Sequence, residues 1–107
     1  MIDAYCTDRV TILAHAGRDE WGEPLGEPTS HLVRGRVEWK TRLVRDLHGE
    51  TVASPIRVYL SLRRVDRLLG RALTHEDRIV VDGRDRAILA IAEPKAFSGP
   101  HYEIDLA

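Results

Sequence analysis

The chain has 107 residues, a single cysteine, 43% hydrophobic and 31% charged residues, which is the balance of one soluble globular domain able to bury a modest core without staples. No apolar run approaches the roughly 18 residues that cross a bilayer, Met1-Ile2-Asp3-Ala4 does not read as a signal peptide, and Cys6 has no partner for an internal disulfide. The net charge of −1 hides an asymmetry: residues 1–30 carry −4, residues 31–71 carry +6 and residues 72–107 carry −3, and 14 of the 16 basic residues are arginine.

Cys6 precedes the first strand and reads as a small buried filler rather than a nucleophile. Residues 8–15 (DRVTILAH) form that strand, Val10 and Ile12 alternating against Thr11 and Leu13. Residues 16–29 (AGRDEWGEPLGEPT) are acidic and rich in Gly and Pro, which predicts a projecting hairpin arm or loop. Trp21 within it either folds back over the barrel end, the ordinary expectation, or anchors in a partner's pocket, since Trp is enriched at interface hot spots. Residues 30–40 (SHLVRGRVEWK) alternate cleanly. Val33, Gly35, Val37 and Trp39 share one face and Arg34, Arg36, Glu38 and Lys40 the other, as in an antiparallel sheet with one wet side. Gly35 predicts a bend or bulge.

Residues 41–54 (TRLVRDLHGETVAS) are ambiguous between an extended strand and a turn of helix, and are taken as a long mobile loop carrying Arg42, Arg45, Asp46, His48 and Glu50. A loop of this length in a compact domain usually has a function or is disordered. A strand over 55–62 (PIRVYLSL) follows, with Pro55 acceptable only at its head. Val65, Leu68, Leu69 and Leu73 recur at helical spacing, so residues 63–74 predict one or two helical turns weakened by Gly70. Thr74-His75-Glu76-Asp77 reads as a turn into a hairpin over 77–93 (DRIVVDGRDRAILAIAE), folded about Asp82-Gly83. A two-residue loop pairs Val81 with Arg84 and mixes apolar and charged side chains on one face. A bulge at Gly83 is therefore preferred, pairing Ile79 with Ala87 and placing Ile79, Val81, Ala87 and Leu89 together. A loop over 94–100 carries Phe97, and residues 101–106 (HYEIDL) close the chain as a strand with Tyr102, Ile104 and Leu106 inward and His101, Glu103 and Asp105 outward. The expected fold is all-β: a small antiparallel β-barrel of five to six strands with one short helix and long projecting loops.

No catalytic constellation is present. The His residues (15, 31, 48, 75 and 101) are scattered without ligand spacing, so no metal site is expected. No G-x-S-x-G turn or phosphate loop occurs, and no cofactor is implied. The carboxylate pairs Asp19-Glu20 and Glu76-Asp77 fall in turns, where a solvated surface is the default. The collective feature is arginine: Arg34, Arg36 and Lys40 on one strand face, Arg57 on an adjacent strand, and Arg63, Arg64, Arg67 and Arg71 on the helical piece. Such a stripe suits intersubunit ion pairs. It also suits single-stranded nucleic acid, although Tyr59 is the only aromatic placed to stack.

In this order the motifs D-R-V-T-I, W-G-E-P, the Arg34-to-Trp39 strand, P-I-R-V-Y-L, T-H-E-D-R-I-V-V-D-G, A-I-L-A-I-A-E-P and F-S-G-P-H-Y-E-I-D-L resemble the small head–tail joining proteins of tailed bacteriophages, also called head-closure, head-completion or stopper proteins. The resemblance covers residues 8–106. It implies a β-barrel subunit that assembles into a ring of six or twelve copies in the virion neck, made in the host bacterial cytoplasm. That ring lies between portal and adaptor proteins on one side and tail proteins on the other, joining head to tail and retaining the double-stranded DNA in its channel without reading sequence. Gene transfer agents use the same parts. By position, the resemblance makes 41–54 the channel loop and makes the arm around Trp21 a clasp on a neighbour; the reading of the arginines as intersubunit ion pairs then puts Arg34, Arg36, Arg57, Arg63 and Arg64 on the subunit interface. Acidic and basic patches on successive copies suit a head-to-tail contact that closes into a ring. The alternative from a different class is a free-standing small-barrel module that binds nucleic acid or protein.

Overall fold

The computed structural model describes residues 8–93, 95–96 and 99–107; the expectations for Cys6 and Phe97 lie outside the described residues. Strand and helix alternate as β1 (Asp8–Ala14), β2 (Thr29–Arg45), β3 (Thr51–Ser61), α1 (Leu62–Leu69), β4 (Arg78–Val81), β5 (Arg84–Ala92), β6 (Lys95–Ala96) and β7 (Gly99–Leu106). All pairings are antiparallel and neighbours run β3-β2-β1-β4-β5-β7-β6. β3 also pairs with β7, from Ile56 opposite Leu106 to Ser61 opposite His101. That contact closes a six-stranded barrel and leaves the two-residue β6 as an appendage of β7. Closure removes the sheet edges that would otherwise invite aggregation.

The period-2 alternation of the strands fills the interior. Val10 and Ile12 of β1, Val33 of β2, Ile56, Val58 and Leu60 of β3, Ile79 and Val81 of β4, and Tyr102, Ile104 and Leu106 of β7 join one buried cluster. Each such aliphatic contributes about 1.5–3 kcal/mol on burial. α1 covers this cluster through Val65, which is buried. Gly70, at φ 71°, ends the helix with its N–H donating to the Asp66 carbonyl, the left-handed stop that glycine adopts without strain. On β2, a Cβ at Gly35 would lie 2.5 Å from Leu60 Cδ2 and 2.9 Å from the Tyr59 carbonyl oxygen. Gly35 thus lets β3 approach closely where the barrel curves.

Three expectations are corrected. The hairpin uses the two-residue turn, with Val81 opposite Arg84 and Ile79 opposite Arg86. Asp82 (φ 55°) and Gly83 (φ 75°) are both left-handed, the conformation whose twist matches the flanking strands. The register therefore brings Ile88, not Ala87 or Leu89, into the core. The mixed face is tolerated because Arg86 lies at the barrel mouth, with its guanidinium 5.6 Å from the Trp39 ring centre and Nη1 donating to the Ala107 carbonyl. Second, residues 41–54 are not a mobile loop: β2 runs on to Arg45 and β3 begins at Thr51. Pro55 accordingly sits inside β3 rather than at its head, and it can do so because Lys40 and Thr41 together oppose it in a bulge, between the pairs Trp39–Ile56 and Arg42–Ser54. Third, His101 and Asp105 are 7% and 6% exposed rather than solvated, since β7 is flanked by β3 and β5 and the Arg57 side chain lies across Asp105.

Candidate functional site

Two hairpin tips project from the barrel, and both are built on the same five-residue pattern, Asp-x-x-Gly-Glu. Asp19-Glu20-Trp21-Gly22-Glu23 caps the arm between β1 and β2, and Asp46-Leu47-His48-Gly49-Glu50 caps the β2–β3 hairpin. In each, the Asp Oδ1 accepts two backbone N–H bonds of 2.9 Å, from Trp21 and Glu23 in the first tip and from His48 and Glu50 in the second. In each, the Gly N–H donates to the Asp carbonyl at 3.1 Å and the Asp N–H to the Glu carbonyl at 2.9 Å. Gly22 (φ 79°) and Gly49 (φ 81°) supply the left-handed turn. The Asp side chain replaces the missing backbone partners of a tight turn, so both tips are ordered structures that hold an apolar side chain in solvent: Trp21 is 81% exposed and Leu47 66%. The expectation that Trp21 folds back over the barrel is thereby overturned.

Beyond the bulge, β2 and β3 pair only with each other among the described residues, from Arg42–Ser54 to Arg45–Thr51. Ser54 is still buried, its Oγ donating to the Leu106 carbonyl, so three further rungs at about 3.4 Å carry the free ribbon roughly 10 Å beyond that tie before the turn begins. Of the residues expected in a channel loop, Arg42 and Arg45 lie on the ribbon strand and Asp46, His48 and Glu50 form its tip. Arg42 bonds Glu38 across the bulge, and its guanidinium holds the Glu38 carboxyl below the usual carboxylate range. Asp46 is used by the turn. Leu43, opposite Ala53, is exposed. A free two-stranded ribbon is marginal alone in water, and apolar side chains exposed on it suit a further contact.

The arm is fixed at its root by a buried carboxylate. Asp77 is fully buried, contrary to its expected solvated turn, and accepts from the backbone N–H groups of His15 and Thr74 (both 2.9 Å) and from both terminal nitrogens of Arg71 (2.7 and 2.8 Å). Arg71 also donates to the His15 carbonyl. Burial pushes the Asp77 carboxyl up, but Arg71 and the two N–H donors outweigh it and hold it below its ordinary value. The first residue after β1 is therefore clamped through both backbone groups. A second tie joins helix to barrel: Tyr102 Oη donates to Asp66 at 2.5 Å and accepts from the Leu73 N–H. Burial, with Asp66 adding to it, pushes this phenol up to about 12.

The arginines do not form one stripe. Arg57 lies between Glu38 and Asp105 across β2, β3 and β7. It bonds Asp105 at 2.8 Å, sits 3.7 Å from Glu103, and is raised by the Asp105 hydrogen bond. It belongs to the barrel wall rather than to a free surface. Arg36 lies 3.6 Å from Glu38, and Arg71 is committed to Asp77. Tyr59, the expected stacking aromatic, is half-buried and bonded to Glu38. Arg63 stands exposed in the first turn of α1, apart from that network. Arg34 and Arg64 instead join Arg9 and Leu32 around one open depression on the β1–β2 face. Among the described residues no group of three or more His, Cys, Asp or Glu converges as a metal site would require. No protein-family model matches the chain, and no curated protein matches it.

Proposed function

We propose that this chain is the structural ring subunit of a phage-like neck, joining head to tail and retaining packaged DNA, in a tailed phage or a gene transfer agent. The observation that carries the reading is the free-standing β2–β3 ribbon. A closed barrel needs no such extension for its own stability, and the ribbon is held together by its pairing and closed by an Asp-built tip. In a ring, copies of this ribbon point at a common axis and narrow the channel there. Arg45, exposed near the tip, then faces the DNA phosphates, and such contacts are indifferent to sequence. Portal and adaptor proteins on one side, and tail proteins on the other, are the partners of this reading. The alternative of a free-standing nucleic-acid module has less support, since Tyr59 is tied to Glu38 and Arg36, Arg57 and Arg71 of the arginine stripe are paired within the chain.

Deleting residues 43–51 tests the gate. The deletion joins Arg42 to Val52, so Arg42 and Ser54 stay paired across a two-residue turn and the barrel rungs are untouched. The expected result is a folded barrel and heads that lose DNA. Particles that carry the deletion and hold their DNA would refute the gating role.

A further inference from the structure

We infer that the depression lined by Arg9, Leu32, Arg34 and Arg64 receives the acidic arm of a second copy of this chain; the inference rests on the ring reading and names the contact that builds the ring. Arg9 and Arg34 stand directly opposite each other on β1 and β2, both exposed. Neither has an ion-pair partner among the described residues. Like charges directly opposite on a sheet repel. Arg64 lines the same depression from the first turn of α1. Leu32, among these arginines, is 65% exposed. The facing Arg9 and Arg34, with Leu32 exposed beside them, suit an acidic segment with an apolar side chain.

The arm has that chemistry. Glu20, Glu23 and Glu27 are exposed and make no ion pair among the described residues, and Trp21 and Leu25 beside them are 81% and 64% exposed. The arm does not reach its own depression. It leaves the barrel at the Ala14–Thr29 rung, five rungs from Arg9–Arg34, which is about 17 Å. It is also clamped at His15 and closed on itself by the Arg18–Pro24 bridge. Complementary surfaces at the two ends of one hairpin make a head-to-tail contact, the kind that closes into rings. A phosphate backbone would satisfy the arginines but leave Leu32, Trp21 and Leu25 in water.

Charge reversal tests the docking. The variants are Arg9→Glu with Arg34→Glu, and Glu20→Arg with Glu23→Arg, all at exposed positions, with thermal melting to confirm folding. Sedimentation of the full chain across concentration should show self-association of the wild type, weakened tenfold or more in either variant. Mixing the two variants should restore it, because the basic arm of one fits the acidic depression of the other and the reverse. Wild-type association that neither variant weakens overturns the docking and leaves the ring standing on other contacts. A wild type and a mixture that both stay monomeric overturn the docking, and the ring is then decided by particle imaging. Loss of binding to a labelled DNA duplex in the Arg9→Glu, Arg34→Glu variant, with association unchanged, assigns the depression to phosphate instead and also overturns it.

Discussion

Replacing Asp77 by Asn tests how the arm is fixed to the barrel. The carboxylate is fully buried and serves four donors: two backbone N–H groups and both terminal nitrogens of Arg71. An amide of the same shape keeps one acceptor and turns an NH2 toward groups that also donate. Removing one partner of a buried ion pair costs about 3–5 kcal/mol. Arg71 is 32% exposed and recovers some hydration, so about 2–4 kcal/mol is expected here. At roughly 4 °C per kcal/mol for a domain of this size, the melting temperature falls by about 8–16 °C. The loss also depends on pH with a definite sign. The folded carboxyl titrates below its ordinary value, so the unfolded chain binds the extra proton and stability rises with pH through this interval. The contribution is complete above about pH 5 and disappears as pH falls from the unfolded value near 3.9 through the folded one. Urea unfolding from pH 7 to pH 3 should therefore show the wild type converging on the variant. A variant that melts within about 2 °C of wild type at pH 7, or a gap that stays constant down to pH 3, would refute the reasoning.

Tyr102→Phe removes the hydroxyl that links Asp66 to the Leu73 N–H, and chemical denaturation should show a loss of about 1–3 kcal/mol. Gly35→Ala sets a Cβ 2.9 Å from a backbone oxygen that cannot yield, so about 1–3 kcal/mol of overpacking is expected in the same assay. Asp19→Ala and Asp46→Ala each release one tip, and hydrogen exchange should speed up at Trp21 and Glu23 in the first and at His48 and Glu50 in the second. Neither should change global stability by much more than about 0.5 kcal/mol.

The barrel was legible because period-2 alternation is a strong signal. Val10 and Ile12, Val33, Ile56, Val58 and Leu60, and Tyr102, Ile104 and Leu106 all face inward as their spacing demands. Two features were misread, for different reasons: turn chemistry outweighed face matching in one, and a bulge hid the alternation in the other. The Asp82-Gly83 pair fixed a two-residue turn even though this placed Arg86 on the core side, where Trp39 and the Ala107 carbonyl accommodate it. Residues 41–54 lacked alternation because a bulge opposite Pro55 resets the register midway. The repeated Asp-x-x-Gly-Glu of 19–23 and 46–50 was present in the sequence and marks both tips; neither copy contains a dipeptide that signals a hairpin by itself. The burial of Asp77 and the role of Arg9 depend on contacts across 62 residues and across strands, respectively, which no local pattern encodes.

A neck subunit must form a ring with its ribbons turned to the channel axis. Electron microscopy of native particles, or of portal complexes mixed with this protein, measures that directly. The expected image is a ring of this barrel below the portal, with the β2–β3 ribbons directed at the axis and each arm seated on the Arg9–Arg34 face of the next copy. A neck without this subunit, or a protein that remains a monomer beside the portal while holding oligonucleotides, would contradict it.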